Sequence, residues 1–107
     1  MPLVELFCAL GDPSRLEMVE RLSSGEPHTI NSVSKGLEIT RQGARKHLQI
    51  LADAKLIVLE SKGRVTHVRL DRERLDQGKA FIAELERRWD LRIEALHRFV
   101  DGVEIEG

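Results

Sequence analysis

The stretch TRQGARKHLQILADAKLIVLESKGRVTHVRLD, residues 40–71, decides the fold, because its periodicity changes once and cleanly along its length. In its first part Ala44, Leu48 and Leu51 stand at i, i+4 and i+7, the spacing of one helix face. Thr40 can accept hydrogen bonds from the free N–H groups at the start of that helix, and Arg41, Gln42, Arg45, Lys46 and Gln49 fall on the opposite face. From Leu56 the pattern turns toward alternation. Leu56–Glu60 is a β-prone run, Ser61-Lys62-Gly63-Arg64 reads as a turn whose glycine can take a positive φ, and Val65–Leu70 is a second run with Thr66, Val68 and Leu70 on one face. The stretch reads as a basic-faced helix followed by a β-hairpin with a basic tip.

Upstream, Leu3, Val4, Phe7 and Leu10 follow helical spacing on a short segment, residues 1–10, that stops at Gly11. Asp12 can cap a second helix, and Pro13 at its first position gives up a donor that would be orphaned there. Leu16, Val19 and Leu22 mark the expected buried stripe of that helix, which ends near Ser23-Ser24-Gly25. Thr29 can cap a third, short helix with Ile30, Val33 and Leu37 inward and Gly36 near its end, and only two or three residues later Thr40 opens the fourth. Two helices joined so tightly within residues 28–53 make a helix-turn-helix, and residues 56–70 are its hairpin.

Downstream, Asp71 can cap a last helix that runs without a strong breaker over residues 72–100, with Leu75, Ile82, Leu85, Trp89, Ile93, Leu96 and Val100 on one stripe. At ~1.5 Å per residue it is over 40 Å long, more than one small core can cover. Spacings of three and four among Ile82, Leu85, Trp89, Leu96 and Phe99 resemble a heptad seam interrupted at Arg92, so a second copy of the chain is expected to cover this helix together with Leu3 and Phe7 of the first. Residues 101–107 read as a frayed tail.

Composition sets the frame for these elements. A chain of 107 residues has room for one domain, and 41% hydrophobic with 33% charged residues describes a soluble globular one. The formal net charge of −1 speaks against nucleic acid held by bulk charge, yet it hides a division. Residues 40–74 carry nine basic and four acidic side chains, +5, whereas residues 1–39 and 75–107 each come to −3. One cysteine, Cys8, excludes an intramolecular disulfide and any multi-cysteine zinc module, and it reads as a small buried hydrophobe rather than a redox-sensing thiol. The opening MPLVELFCAL contains Glu5 and has no basic flank, so it does not read as a signal peptide. No apolar run approaches ~18 residues, so a cytoplasmic protein with no membrane partner is expected.

The order of elements gives the fold class: mainly α with a small β-hairpin, a winged helix-turn-helix with a long C-terminal dimerisation helix. Base edges in the major groove are read from the start of a recognition helix, where Gln pairs with adenine and Arg with guanine. Arg41, Gln42 and Arg45 occupy that place, and Gly43 lets the backbone approach the groove floor at a helix cost of about 1 kcal/mol relative to Ala. Lys46 and the Thr40 hydroxyl suit phosphates, Lys62 and Arg64 at the hairpin tip reach backbone or minor groove, and His47 is open between packing and phosphate contact. Catalysis is not expected. No nucleophile elbow, phosphate loop or His-Glu-x-x-His pattern is present, and His28, His47, His67 and His97 fall on separate elements.

The chain also resembles a known family. Gly11-Asp12-Pro13-Ser14-Arg15, the run Thr40–Leu48, Leu51-Ala52-Asp53-Ala54-Lys55-Leu56-Ile57 and the hairpin closing on Arg69-Leu70-Asp71 are similar, in order and interval from about residue 5 to residue 100, to the ArsR family of bacterial transcriptional repressors. The ending Arg88–Leu96 is similar to a branch without the hallmark metal sites. The resemblance implies a homodimeric repressor that covers a promoter, reading a pseudo-palindromic operator in double-stranded DNA. Founding members bind metal through Cys-x-Cys on the third helix; Thr29 and Asn31 stand at those positions here, so no metal is expected there. A metal-responsive alternative would use Asp90, Glu94, His97 and Asp101 along the last helix, although Arg98 four residues after Glu94 favours an ion-paired surface. A second alternative is a winged helix that binds only protein, against which the basic helix face and hairpin tip count. No motif calls for a cofactor or points to a particular effector.

Overall fold

Side chains written into the sequence start the helices. In the computed structural model, which describes residues 2–106 and side chains over 3–102, the order is α1 (Pro2–Leu10), α2 (Pro13–Leu22), β1 (His28–Thr29), α3 (Ile30–Ser34), α4 (Arg41–Asp53), β2 (Ile57–Lys62), β3 (Val65–Leu70) and α5 (Arg72–Glu106). Asp12 accepts from the N–H groups of Ser14 and Arg15 at 2.9 and 3.1 Å, with Pro13 opening α2. Thr29 and Ser32 form a reciprocal capping box on α3. Thr40 accepts from Gly43 N at 2.9 Å on α4, and Asp71 from Glu73 N at 3.1 Å on α5.

The core gathers Leu6 and Ala9 of α1, Met18, Val19 and Leu22 of α2, Val33 of α3, Ala44, Leu48 and Leu51 of α4, and Leu56, Ile57 and Val68 around the hairpin. The α4 stripe is buried as expected. Two other stripes are rotated. On α1 the inward pair is Leu6 and Ala9, while Val4 is 56% and Phe7 37% exposed, and Cys8 is exposed instead of buried. This helix is apolar nearly all round, so periodicity alone does not select a face. On α2, Leu16 is 45% exposed and Met18 is fully buried, because apolar residues at both positions leave two overlapping stripes.

The sheet has three antiparallel strands in the order β1-β3-β2, not the two of a simple hairpin: His28 pairs with Val68 and Thr29 with His67. The hairpin is also tighter than its sequence suggests. Ser61 pairs with Thr66 and Lys62 with Val65, leaving only Gly63 and Arg64 in the turn, with Gly63 at φ +65 as a type II′ turn demands of its first central residue. Residues 35–40 connect α3 to α4, a longer link than expected, because α3 stops at Ser34 and Leu37 lies beyond it.

The exit from α4 is a complete Schellman motif. Lys55 N donates to Ala52 O and Leu56 N to Leu51 O, both at 3.0 Å, with Lys55 at φ +64 and the apolar pair Leu51 and Leu56 fully buried behind it. This cap fixes the direction in which the chain leaves α4 for β2.

The last helix, at 35 residues, is ~52 Å long by its rise. It continues through residues 101–106, where a frayed tail was expected; Gly107 lies outside the described residues. Its first turns pack on α1, where a Cβ on buried Gly78 would stand 2.5 Å from Leu6 Cδ2 and the rings of Phe7 and Phe81 lie 5.9 Å apart. The rest projects away, giving a radius of gyration of 20.3 Å, against ~13 Å for a compact domain of this length.

Candidate nucleic-acid interface

With Ala44, Leu48 and Leu51 turned into the core, α4 presents Arg41, Gln42, Arg45 and Lys46 to solvent, with Thr40 exposed at its cap. Gly43 has a reason inside the protein: a Cβ there would meet Thr40 Oγ1 at 3.1 Å, the hydroxyl that caps the helix by accepting from Gly43 N. The groove-floor role expected for this glycine is therefore not needed to account for it.

Two arginines that the sequence did not single out hold α4 and its partner helix in place. Arg21 Nη1 donates to the carbonyls of Val33 and Lys35 at 3.1 and 2.6 Å, and its Nε meets Glu17 Oε1 at 3.2 Å. Those carbonyls end α3 and would otherwise lack partners. Arg15 Nε donates to Ala9 O at 2.7 Å, and its Nη1 lies 3.0 Å from His47 Nδ1. A guanidinium only donates, so Nδ1 accepts and the ring proton sits on Nε2. His47, its side chain 20% exposed and 3.8 Å from Asp12 Oδ2, thus links the middle of α4 to the corner between α1 and α2. The Asp12 carboxyl is held below its ordinary range, first by the Arg15 N–H it accepts from and further by the neighbouring Arg15 charge. Arg21 stands in the last turn of α2, a place that suits a donor to orphan carbonyls, but nothing local in the sequence shows that it reaches α3 or that Arg15, in the first turn, reaches back to α1.

The hairpin turn brings Arg64 to α4. Arg41, Arg45, Arg64, Val65, Thr66, Thr29, Ile30 and Asn31 line one open cleft of about 330 Å³ between the start of α4, the wing and the start of α3. Lys46 and Lys62 lie outside its lining, both exposed. Among the described residues, none of Arg41, Arg45, Lys46, Lys62 and Arg64 forms an ion pair, whereas Arg21, Arg69, Arg87 and Arg88 each have a glutamate partner. The five cations of α4 and the hairpin turn are therefore free to meet an anion.

The residues expected to bury a second copy lie outside this cleft. Ile82, Leu85, Trp89, Leu96 and Phe99 are between 46% and 69% exposed in the single chain, Phe7 packs on Phe81, and Leu3 is partly buried against the core. Thr29 and Asn31 offer the cleft a hydroxyl and an amide. Asp90, Glu94, His97 and Asp101 are all exposed on α5, and among the described residues no three His, Cys, Asp or Glu side chains come together to hold a metal ion. The expected pair of Glu94 with Arg98 is not formed. Pairing on α5 is instead at Glu84, 2.7 Å from Arg87 and 3.3 Å from Arg88, which lower its carboxyl to about 2, Arg87 acting most strongly.

Comparison with known proteins agrees with this geometry. Residues 10–60 match the helix-turn-helix domain family. No curated protein sequence matches the chain. Among solved structures, an ArsR family transcriptional regulator superposes with a TM-score of 0.77 at 30% identity, covering 83% of this chain and 91% of its own. An ArsR-like transcriptional regulator from Rhodococcus sp. RHA1 gives 0.76 at 26% identity, over 92% of each chain. A possible transcriptional regulator for arsenical resistance gives 0.66 at 27% identity, over 72% of this chain and 79% of its own. Among the described residues no helix is long and apolar enough to cross a membrane. Amphipathic α4, the wing that closes on it and the match over nearly the whole length of these regulators place the chain in the ArsR family of winged helix-turn-helix transcriptional regulators.

Proposed function

We propose that this protein is a sequence-specific, double-stranded DNA-binding regulator that works as a homodimeric repressor in the cytoplasm. The observation that carries the reading is the set of unpaired basic side chains gathered on α4 and the wing, beside acidic flanks that are themselves partly paired. In this reading residues 1–107 act as one domain. Residues 28–53 enter the major groove, Gln42, Arg41 and Arg45 meet base edges, Thr40, Lys46, Lys62 and Arg64 serve the backbone, and His47 holds α4 to the α1–α2 corner.

The dimer is supported by the projecting α5. Its apolar side, continued by Phe7 on α1, is too large a patch to leave in water. A two-fold pair of such chains presents two α4 helices to half-sites about one helical turn, ~34–36 Å, apart or a multiple of it. Occupying a promoter in this way excludes polymerase, which is the repression step. No cofactor enters the reading, and Thr29 and Asn31 are poor soft-metal ligands.

Selection of bound sequences from random duplexes tests it, repeated with zinc, with oxidant and with neither. Enrichment of a pseudo-palindrome is expected in the untreated sample. Absence of enrichment together with absence of salt-dependent binding would refute the reading.

A further inference from the structure

We propose that the cleft between α4 and the wing is a seat for one tetrahedral oxyanion of the phosphate class, gripped by Arg41, Arg45 and Arg64 and oriented by Thr29 and Asn31. The inference deepens the DNA-binding reading and rests on it for its principal source, a backbone phosphate; a free phosphate offers the same chemistry.

Three guanidinium groups drawn from two elements line the cleft, and its lining contains neither Asp nor Glu. Like charges held in one cleft repel each other, and a bound anion removes that cost. Glu26 and Glu38, each three residues from a lining residue, stay outside the lining, and Glu60 on the wing is paired with Arg69 at 3.1 Å. Planar forks suit the edges of an oxyanion, giving paired charge-assisted hydrogen bonds. The neutral groups complete the set. Thr29 Oγ1 already accepts from Ser32 N at 3.2 Å, so its own hydrogen is left to donate, and the exposed Asn31 supplies an amide N–H. Aromatic side chains are absent from the lining, so the cleft has no surface for stacking a base. About 330 Å³ holds a phosphate with water and stands near the lower bound of ligand sites. Arg41 and Arg45 thereby fix register as well as facing bases, and Asn31, on an element outside the recognition helix, joins the interface.

The test uses the full chain, isotope-labelled, titrated by nuclear magnetic resonance with inorganic phosphate at constant ionic strength. In parallel, affinities are measured for duplexes carrying a single methylphosphonate in place of one backbone phosphate. Expected are saturable shifts gathered at Thr29, Asn31, Arg41, Arg45 and Arg64–Thr66, weakened at least tenfold in Arg64→Gln and Asn31→Asp variants that melt like the parent. One methylphosphonate position per half-site should cost the parent at least tenfold and Arg64→Gln almost nothing. Cleft shifts with phosphate but no coupled backbone position would support the seat and assign it to a free oxyanion. Cleft shifts in a protein that binds no duplex would support the seat and refute the DNA reading. Duplex binding with neither cleft shifts nor a coupled position would overturn the seat and leave the DNA reading standing. Phosphate shifts spread evenly over Lys46, Lys62 and the α5 arginines would also overturn it, as screening alone.

Discussion

Replacing Lys55 by glycine should stabilise the protein. The residue sits at the one position of the α4 exit that must be left-handed, φ +64, and its N–H is committed to Ala52 O at 3.0 Å, so the backbone cannot relax without breaking the cap. An L-residue in this conformation costs ~1–2 kcal/mol, which glycine avoids. Glycine gives back about 0.5–1 kcal/mol through the greater freedom of its unfolded chain. The side chain of Lys55 is exposed and forms no ion pair among the described residues, so its loss subtracts little. The net gain works out at about 0.5–1 kcal/mol, or roughly 2–8 °C in Tm for a domain of this size. Thermal and urea melts followed by circular dichroism, at one fixed protomer concentration because any dimer couples to stability, would measure it. Lys55→Ala is the control: it removes the charge and the long side chain but keeps Cβ, and should show little or none of the gain. Glycine no more stable than lysine, or alanine as stabilising as glycine, would refute the reasoning.

Three further outcomes follow from the same structure. Gly78→Val drives a side chain into Leu6, which is only 1% exposed, and should cost about 1–3 kcal/mol as overpacking, partly recovered by adding Leu6→Ala; a neutral single variant in a melt would deny the close approach of α1 and α5. The carboxyls of Asp12 and Glu84 both titrate lower in the folded than in the unfolded chain, so their contributions are complete above about pH 4.5 and are lost as the pH falls toward 2. Asp12→Asn keeps a capping oxygen without the charge, and Tm measured from pH 7 to 2 should show a shallower acid limb; an unchanged limb would remove Asp12 from the account. Trp89→Ala with Phe99→Ala should weaken the proposed dimer at least tenfold, at ~1.5–3 kcal/mol per large apolar side chain. Sedimentation of the parent as a ~12 kDa particle at micromolar concentration would contradict the dimer itself.

Much of this fold is legible because its signals are local. Asp12, Thr29, Thr40 and Asp71 each satisfy N–H groups within three residues, and Ala44, Leu48 and Leu51 form one stripe, flanked only by Ile50 and Ala52, on a helix whose other face is polar and charged. The rotated faces of α1 and α2 come from the opposite condition: Val4 and Phe7 compete with Leu6, and Leu16 with Met18, and only the neighbouring helices choose between them. β1 is two residues long and exists only because β3 lies beside it. Gly78 looks like a helix weakness until Leu6 is placed against it. The site divides along the same line. Charge alone pointed to Arg41, Arg45 and Arg64, but the cleft they share with Thr29 and Asn31 depends on how the wing folds back, and the anchoring by Arg15 and Arg21 depends on carbonyls from other elements.

The central claim is that α4 reads sequence while the wing supplies backbone attraction. Fluorescence anisotropy tests it most directly, comparing the selected duplex with a shuffled one across a salt series for the parent, Gln42→Ala and Lys62→Ala. The account predicts that Gln42→Ala narrows the preference between the two duplexes by about 1–3 kcal/mol with the salt slope unchanged. It predicts that Lys62→Ala weakens both duplexes alike and lowers the slope by about one. Equal losses on both duplexes for Gln42→Ala, or binding to neither duplex at low salt by the parent, would contradict it.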